Sequence, residues 1–435
     1  MLGLRAFCGA FDVLSLDIDK VFALVSNALK DTGLDIKPSS AFSRPGRIAC
    51  LYRDRWGNES LNQILELARS SHQSDLKDKV YGIMGLLDQN VTRFITPDYT
   101  LSISEVYIDL AKAVVNGTQT LEILLHKEMA SQSQLSMPSW VPDWTVAFLP
   151  MQQILYSSSS ASGTSLTTKQ VLDSKAHLHS QGIIADAVSG LAATDVTKTI
   201  VQATTEVNAY KSTADVEYAL WMNLMTGTDY ECKKSASTAH MRLATLSWDL
   251  DPELDQLQKS KSYQHFQSYR LANKSFNILG RDLSDLIPDR PLSSELKLDS
   301  SSKSKLFAHH FQSAINLISR NLRGRTLMIT KNGYLGLAPS SAAQGDIIAV
   351  LLGCRSPMVL RPSGSLYQVV GACNIHDIMK GEVMEWLDAG RFQLEEITLC
   401  YRKSASRLQA RARAGDARQL RVAIATDDLA IHAIL

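Results

Sequence analysis

A chain of 435 residues is long enough for two or three units with separate hydrophobic cores. With 45% hydrophobic and 20% charged residues and a net charge of +1, it has no global field to draw it onto nucleic acid or an anionic membrane. No run approaches the ~20 uninterrupted apolar residues of a membrane span, and the first residues, broken by Asp12, do not read as a secretory signal. Six scattered cysteines (Cys8, Cys50, Cys232, Cys354, Cys373, Cys400) without a CxxC pair point to reduced thiols and a cytoplasmic location.

In chain order, residues 1–50 look helical. Val21, Leu24, Val25 and Leu29 trace the clearest face, and Gly33 closes it. The apolar pattern begins without a cap or turn, which suggests sequence upstream. Residues 60–72 form an amphipathic helix with Ser60 as cap and Leu61, Ile64, Leu65 and Ala68 as its stripe. In residues 77–87 the spacing of Val80, Ile83, Met84 and Leu87 predicts another helix, with Asp75 at the N-cap and Asp78 in the first turn. Gly82 and Gly85 would each cost it roughly 1 kcal/mol relative to Ala, so close approach of a second backbone is expected there. Pro97 and Asp98 then break the chain. Ser102 and Glu105 make a capping box for a helix that carries Val106, Leu110, Ala113 and Val114 and ends at Gly117. Residues 121–126 form one shorter helix.

The run Met137-Pro-Ser-Trp-Val-Pro-Asp-Trp144 has two prolines and is forced into an extended path. Trp140 and Trp144 either strap helices together or stack on a ligand. Residues 157–168 are Ser-rich and read as an exposed link. Residues 177–188 read as a strand with His177 and His179 on one side; without a third ligand, they read as surface histidines before they read as a metal pair. Residues 189–322 are mostly helical and polar, with a core helix over 216–225, an acidic stretch over 243–257 and a Ser/Lys-rich loop over 293–305. A further helix over 309–322 carries Phe311, Ile315, Ile318 and Leu322, with His309 and His310 solvated at its start and Gly324 as its stop.

From Arg325 the period changes to two. Residues 325–330 and 334–337 read as a hairpin around Asn332-Gly333. Strands follow over 347–352, 358–360, 366–370 and 371–375, and the pattern runs on to 378–381. Four or five such strands suggest a small antiparallel sheet or open barrel. Residues 402–421 carry seven basic side chains against the one acid Asp416, which serve either acidic partners or simple solvation. No aromatic residues interleave them to stack bases.

No phosphate loop, GxGxxG, HExxH, GxSxG or kinase signature is present, so no catalytic, cofactor-binding or metal-binding residue is nominated. The blocks Asp78-Lys-Val-Tyr-Gly-Ile-Met-Gly-Leu86, Pro97-Asp-Tyr99 and Pro138-Ser-Trp-Val-Pro-Asp-Trp144 resemble the region downstream of the HET domain in fungal heterokaryon-incompatibility proteins. So do Gly333-Tyr-Leu-Gly336, Gly345-Asp-Ile347, Pro357-Met-Val-Leu-Arg361, residues 367–371 and residues 376–382. The resemblance implies a fungal, cytosolic protein of non-self recognition and programmed cell death. The HET domain itself, similar to the Toll/interleukin-receptor fold, carries a Trp-Gly and an Arg-Val-Trp-type motif. Neither occurs here in that context, since Trp56-Gly57 directly precedes the downstream blocks. Signalling or NAD-cleaving activity would therefore belong to a part this chain lacks.

These readings add up to an α+β protein: a helical region (1–150), a mainly helical middle (151–322), a β-rich module (323–395) and a basic tail (396–435). The expected role is non-enzymatic, a regulatory or interaction region with protein partners (self or another incompatibility protein), without nucleic acid or a membrane span. The alternative is an enzyme of fungal secondary metabolism, whose pocket would be lined by Trp140, Trp144, Tyr367 or His376.

Overall fold

The computed structural model describes residues 5–8, 11–14, 58–71, 73–127, 135–146, 159–163, 171–172, 177–225, 259–287 and 314–401. The expected features at residues 21–33, 243–257, 293–305 and 309–311 and in the tail beyond residue 401 fall outside these. The architecture is α+β.

Strands β1 (Arg5–Cys8) and β2 (Phe11–Leu14) pair antiparallel, where the sequence suggests helix. The alternation in Phe-Asp-Val-Leu, with aromatic and β-branched residues, favours the extended form over so short a span. Helix α1 (Asn58–Ser70) begins two residues before the expected Ser60 cap. The helix expected over 77–87 is broken into α2 (Asp78–Tyr81) and a 3₁₀ turn (Met84–Leu86). Val80, Ile83 and Leu87 are buried as the periodicity requires, but Gly82 and Gly85 are exposed and no second backbone approaches Gly85. The glycines interrupt the helix rather than pack it, in keeping with their poor propensity.

Helix α3 (Gln89–Thr92) is capped by the Asp88 carboxylate, and α4 (Ile103–Thr118) by the expected box of Ser102 and Glu105. Close backbone approach does occur, at Gly117. A Cβ there would meet Asn90 O at 2.6 Å and Val91 Cα at 2.9 Å, so its missing side chain lets α3 rest on α4. A 3₁₀ turn (Glu122–His126) follows.

Among the described residues the sheet has nine strands, more than the four or five expected. Besides β3 (Val171–Leu172), they are β4 (Leu178–Leu191), β7 (Arg325–Thr330), β8 (Leu335–Pro339), β9 (Ile347–Leu351), β10 (Met358–Ser363), β11 (Leu366–Ala372), β12 (Asn374–Ile375) and β13 (Glu395–Leu399). A separate small pair, β5 (Asn277–Ile278) and β6 (Arg281–Asp282), lies between them. Residues 378–381, which follow the short strand β12 and the turn at 376–377, form bends and no strand.

The pairings close on themselves. Residues 178–182 of β4 pair with β13, residues 182–187 with β9, and residues 188–191 with β7. The neighbours β13–β11–β10–β9 return to β4, and β7–β8–β12 lead back to the end of β11. Register shifts at Ile184/Asp186 and Val188/Gly190 bend β4 so that one strand serves all three neighbours. Between β7 and β8, Gly333 has φ 81° and its N–H bonds Thr330 O at 3.0 Å. This is a turn with a bulged glycine, not a two-residue Asn-Gly turn.

Period-two alternation sorts the core. Ile183, Ala185, Met328, Ala338, Ile348, Val350, Val359 and Val370 from strands all round the closure form one enclosed cluster. Their neighbours face outward. Ala349, Leu351, Met358, Leu360, Val369, Ile397 and Leu399 pack under α1, α4 and the 137–144 segment. Leu327, Ile329, Leu335 and Leu337 pack under α5 (Thr213–Leu224), α6 (Lys261–Ala272), α7 (Leu283–Leu286) and helical residues 314–321. The result is a small filled barrel covered by helices on two sides.

Candidate functional site

The motif blocks at 77–99 form one interlocked unit. The Lys79 ammonium is buried and donates to three carbonyls at the end of α1: Ala68 at 3.2 Å, Arg69 at 2.9 Å and Ser71 at 2.8 Å. A cation there satisfies orphan carbonyls and complements the helix dipole. Burial, and then the nearby Arg69, hold its pKa below the usual lysine value. The Asp75 carboxylate accepts from Lys77 N at 2.9 Å ahead of the helix, but the N-cap of α2 is Lys77, not the expected Asp75, and it carries no side-chain cap bond. Tyr81 Oη donates to Asp98 O at 3.0 Å and accepts from Asp98 N at 3.1 Å, while Tyr99 Oη donates to Asp78 at 2.6 Å. The two tyrosine rings meet edge-on at 5.1 Å. Tyr81, Asp78 and Tyr99 thus hold α2 against residues 97–99, while Lys79 joins α2 to α1.

The 137–144 segment is a buried strap. Trp140 and Trp144 are fully buried, Trp144 meets Tyr107 edge-on at 5.3 Å, and Arg69 lies over its ring at 6.0 Å. Ser139 Oγ donates to Cys400 O at 2.6 Å and accepts from Val369 N at 2.9 Å, which ties the strap to β11 and the end of β13. Beside it, burial and then Arg69 pull the His126 pKa down to about 3. The neutral ring pairs Nε2 with Asn62 Oδ1 at 2.8 Å. Glu122 anchors the barrel loop after β9: its carboxylate accepts from Arg355 N at 2.9 Å and pairs with Arg355 Nε at 2.5 Å.

Of the four residues suggested for a pocket, Trp140 and Trp144 are inside this core and Tyr367 packs at its edge. His376 sits elsewhere, against Tyr210 and Tyr218. His179 Nδ1 is hydrogen-bonded with Thr398 Oγ1 at 3.0 Å on β13. Among the described residues no three His, Cys, Asp or Glu side chains converge as a metal site. The thiols of Cys354, Cys373 and Cys400 are all buried; burial pushes Cys373 up to about 12 and Cys354 upward as well. Thiols so placed are poor nucleophiles. Residues 159–163, expected to be exposed, are largely buried: Ala161 N donates to Arg355 O, and Ser160 N to Met379 O.

Aromatic and ionisable groups also gather at an end of the barrel. Helix α8 (Glu382–Asp388) puts Val383 into the enclosed cluster, with Met384, Trp386 and Leu387 packed above it. A row of rings crosses this end. Tyr218 meets His376 at 5.5 Å, His376 meets Tyr210 at 5.9 Å, Tyr210 meets Tyr334 at 6.3 Å, Tyr334 meets Trp386 at 6.1 Å, and Trp386 stacks with Phe392 at 6.0 Å. Tyr218 is exposed; His376, Tyr334, Trp386 and Phe392 are half-buried. Asp377 stands at φ 70°, unusual for a residue with a side chain, and its carboxylate lies 3.1 Å from His376 Nδ1. Burial, then Asp377, raise the Tyr334 pKa; Asp186 and Glu382 push the same way, and Arg391 opposes them. The Arg391 guanidinium rests 5.1 Å from the Trp386 ring centre. Sequence reading nominated only His376 here, because Tyr210, Tyr218 and Tyr334 come from segments far from it in the chain and nothing local marks Trp386 or Phe392. Only the hairpin turn before Tyr334 was legible.

These observations define a class: a small helix-covered β-barrel with a strapped helical layer and an aromatic, acidic end. Residues 198–394 match the Het-6 beta-barrel domain. The chain is also similar to Heterokaryon incompatibility protein 6, OR allele, of Neurospora crassa, at 23% identity over 350 residues, covering 73% of this chain and 50% of that protein. The chain thus spans about half the length of the curated relative it matches. No solved structure matches it. Over these stretches the chain is similar to the fungal heterokaryon-incompatibility proteins that its motifs resemble. Two strands that close its barrel, β4 and β13, flank the matched residues.

Proposed function

We propose that this chain is the regulatory or interaction region of a HET-type non-self-recognition protein, acting through protein partners and without catalysis of its own. The observation that carries the reading is how the motif residues are used. Lys79, Tyr81, Asp98 and Tyr99 hold one helical unit together, and Trp140 and Trp144 are enclosed in its core. Residues spent on packing are not available to a substrate. Similarity to the incompatibility protein of Neurospora crassa supports the non-self-recognition role and, with it, a part in programmed cell death. The buried thiols suit the cytoplasm, and no helix among the described residues is long and apolar enough to cross a membrane.

The test is direct. Purified chain incubated with NAD is expected to turn over no more than a heat-killed control, while expression in a strain carrying an incompatible allele alters the incompatibility reaction. Turnover above the control would overturn the non-enzymatic reading.

A further inference from the structure

We propose that the aromatic end of the barrel is a docking surface for an arginine-bearing segment of a protein partner. The proposal rests on the interaction reading above and names the chemistry of that partner. Tyr210, Tyr334 and Trp386 lie in an unbroken row at ring spacings of 6.3 and 6.1 Å, and Tyr334 and Trp386 are only half-buried. Ring faces carry negative potential, and each attracts a guanidinium by about 0.5–2 kcal/mol according to its desolvation. The row already shows that such a group fits, since Arg391 lies over the Trp386 ring.

The charges along the row complement a cation. Asp377, Asp186 and Glu382 act on the Tyr334 hydroxyl, against the single base Arg391. Helix α8 carries three acids (Glu382, Glu385 and Asp388) and no base, with Glu385 and Asp388 exposed, against Lys380 just before it and Arg391 just after it. A phosphate-bearing partner would be repelled here, whereas a basic peptide gains ion pairs and ring contacts together. The left-handed Asp377 fits the same picture. Aspartate tolerates this conformation, which holds a half-exposed carboxylate beside His376.

The probe is fluorescein-labelled nona-arginine, titrated against the full chain by anisotropy at low and at high salt, with nona-glutamate as control. Nona-arginine is expected to bind and nona-glutamate not. The D377N/E382Q variant is expected to weaken binding about tenfold, as is Trp386→Leu. Asn accepts the left-handed conformation and Gln keeps the acceptor for Lys380 N, so the double variant keeps its fold even if Trp386→Leu does not. Binding that is absent, or unchanged in D377N/E382Q, overturns the docking surface while leaving the interaction reading intact. Probe affinity that rises tenfold when residues 402–435 are removed would identify the occupant as the chain's own basic segment and overturn the partner assignment. Turnover of NAD in the same samples would instead remove the reading on which the proposal rests.

Discussion

Lys79 and His126 show how single side chains set the stability of the helical layer. Lys79 joins two helices by closing the carbonyl end of α1 from within α2. Lys79→Met keeps the apolar stem but leaves those carbonyls without their cation, so a loss of about 2–3 kcal/mol is expected, read from urea unfolding. His126 is buried neutral, with its pKa near 3 against about 6.5 when unfolded. The unfolded chain therefore binds the extra proton, and the contribution of His126 is complete above about pH 6.5. It is lost as pH falls toward 3, at roughly 1.4 kcal/mol per unit. His126→Gln is expected to flatten the dependence of Tm on pH between 6.5 and 4. A parallel decline in both proteins would show that another group is responsible.

Among the elements, the contact of α3 with α4 turns on Gly117. Propensity alone favours alanine in a helix by about 1 kcal/mol. Here the added methyl would lie 2.6 Å from Asn90 O and 2.9 Å from Val91 Cα, both backbone atoms that cannot swing aside. Gly117→Ala is therefore expected to destabilise by about 1–3 kcal/mol. Gly85 makes the opposite case, since nothing lies within 4 Å of its would-be Cβ and its φ is not in the left-handed region. Gly85→Ala is expected to be neutral or to stabilise by up to about 1 kcal/mol. Thermal melts of the two variants decide between propensity and packing at each position. Glu122 links elements of different layers, and burial raises its pKa even with Arg355 alongside.

For the whole molecule, closure of the barrel depends on β4, whose residue Gly182 pairs with both Glu395 on β13 and Leu351 on β9. A Cβ at Gly182 would meet Val350 O at 2.8 Å, Leu351 Cδ2 at 2.9 Å and Ile397 Cδ1 at 3.1 Å. Gly182→Val is expected to part these strands and to cost more than about 3 kcal/mol, with loss of near-UV dichroism and gain of dye binding. A variant that melts like the parent would show that closure at this point contributes little.

The sequence alone determined the local elements: the Ser102–Glu105 box, the Val216 and Ile315 helices, the strand through Ile183 and the hairpin at Gly333. Each is written in caps, turns and periodicities within a few residues, where short-range physics dominates. It also marked the 77–99 and 138–144 blocks as belonging together, though not why. Tertiary structure alone decided that Tyr81 grips Asp98, that the expected glycine contact moves from Gly82 and Gly85 to Gly117, and that β4 and β13 complete the barrel. It likewise assembled the row from Tyr218 to Phe392, whose members come from three separate parts of the chain (residues 210–218, 334 and 376–392). Pairing register and ring contact between distant segments are set by closure and burial of the whole chain, and no local pattern encodes them.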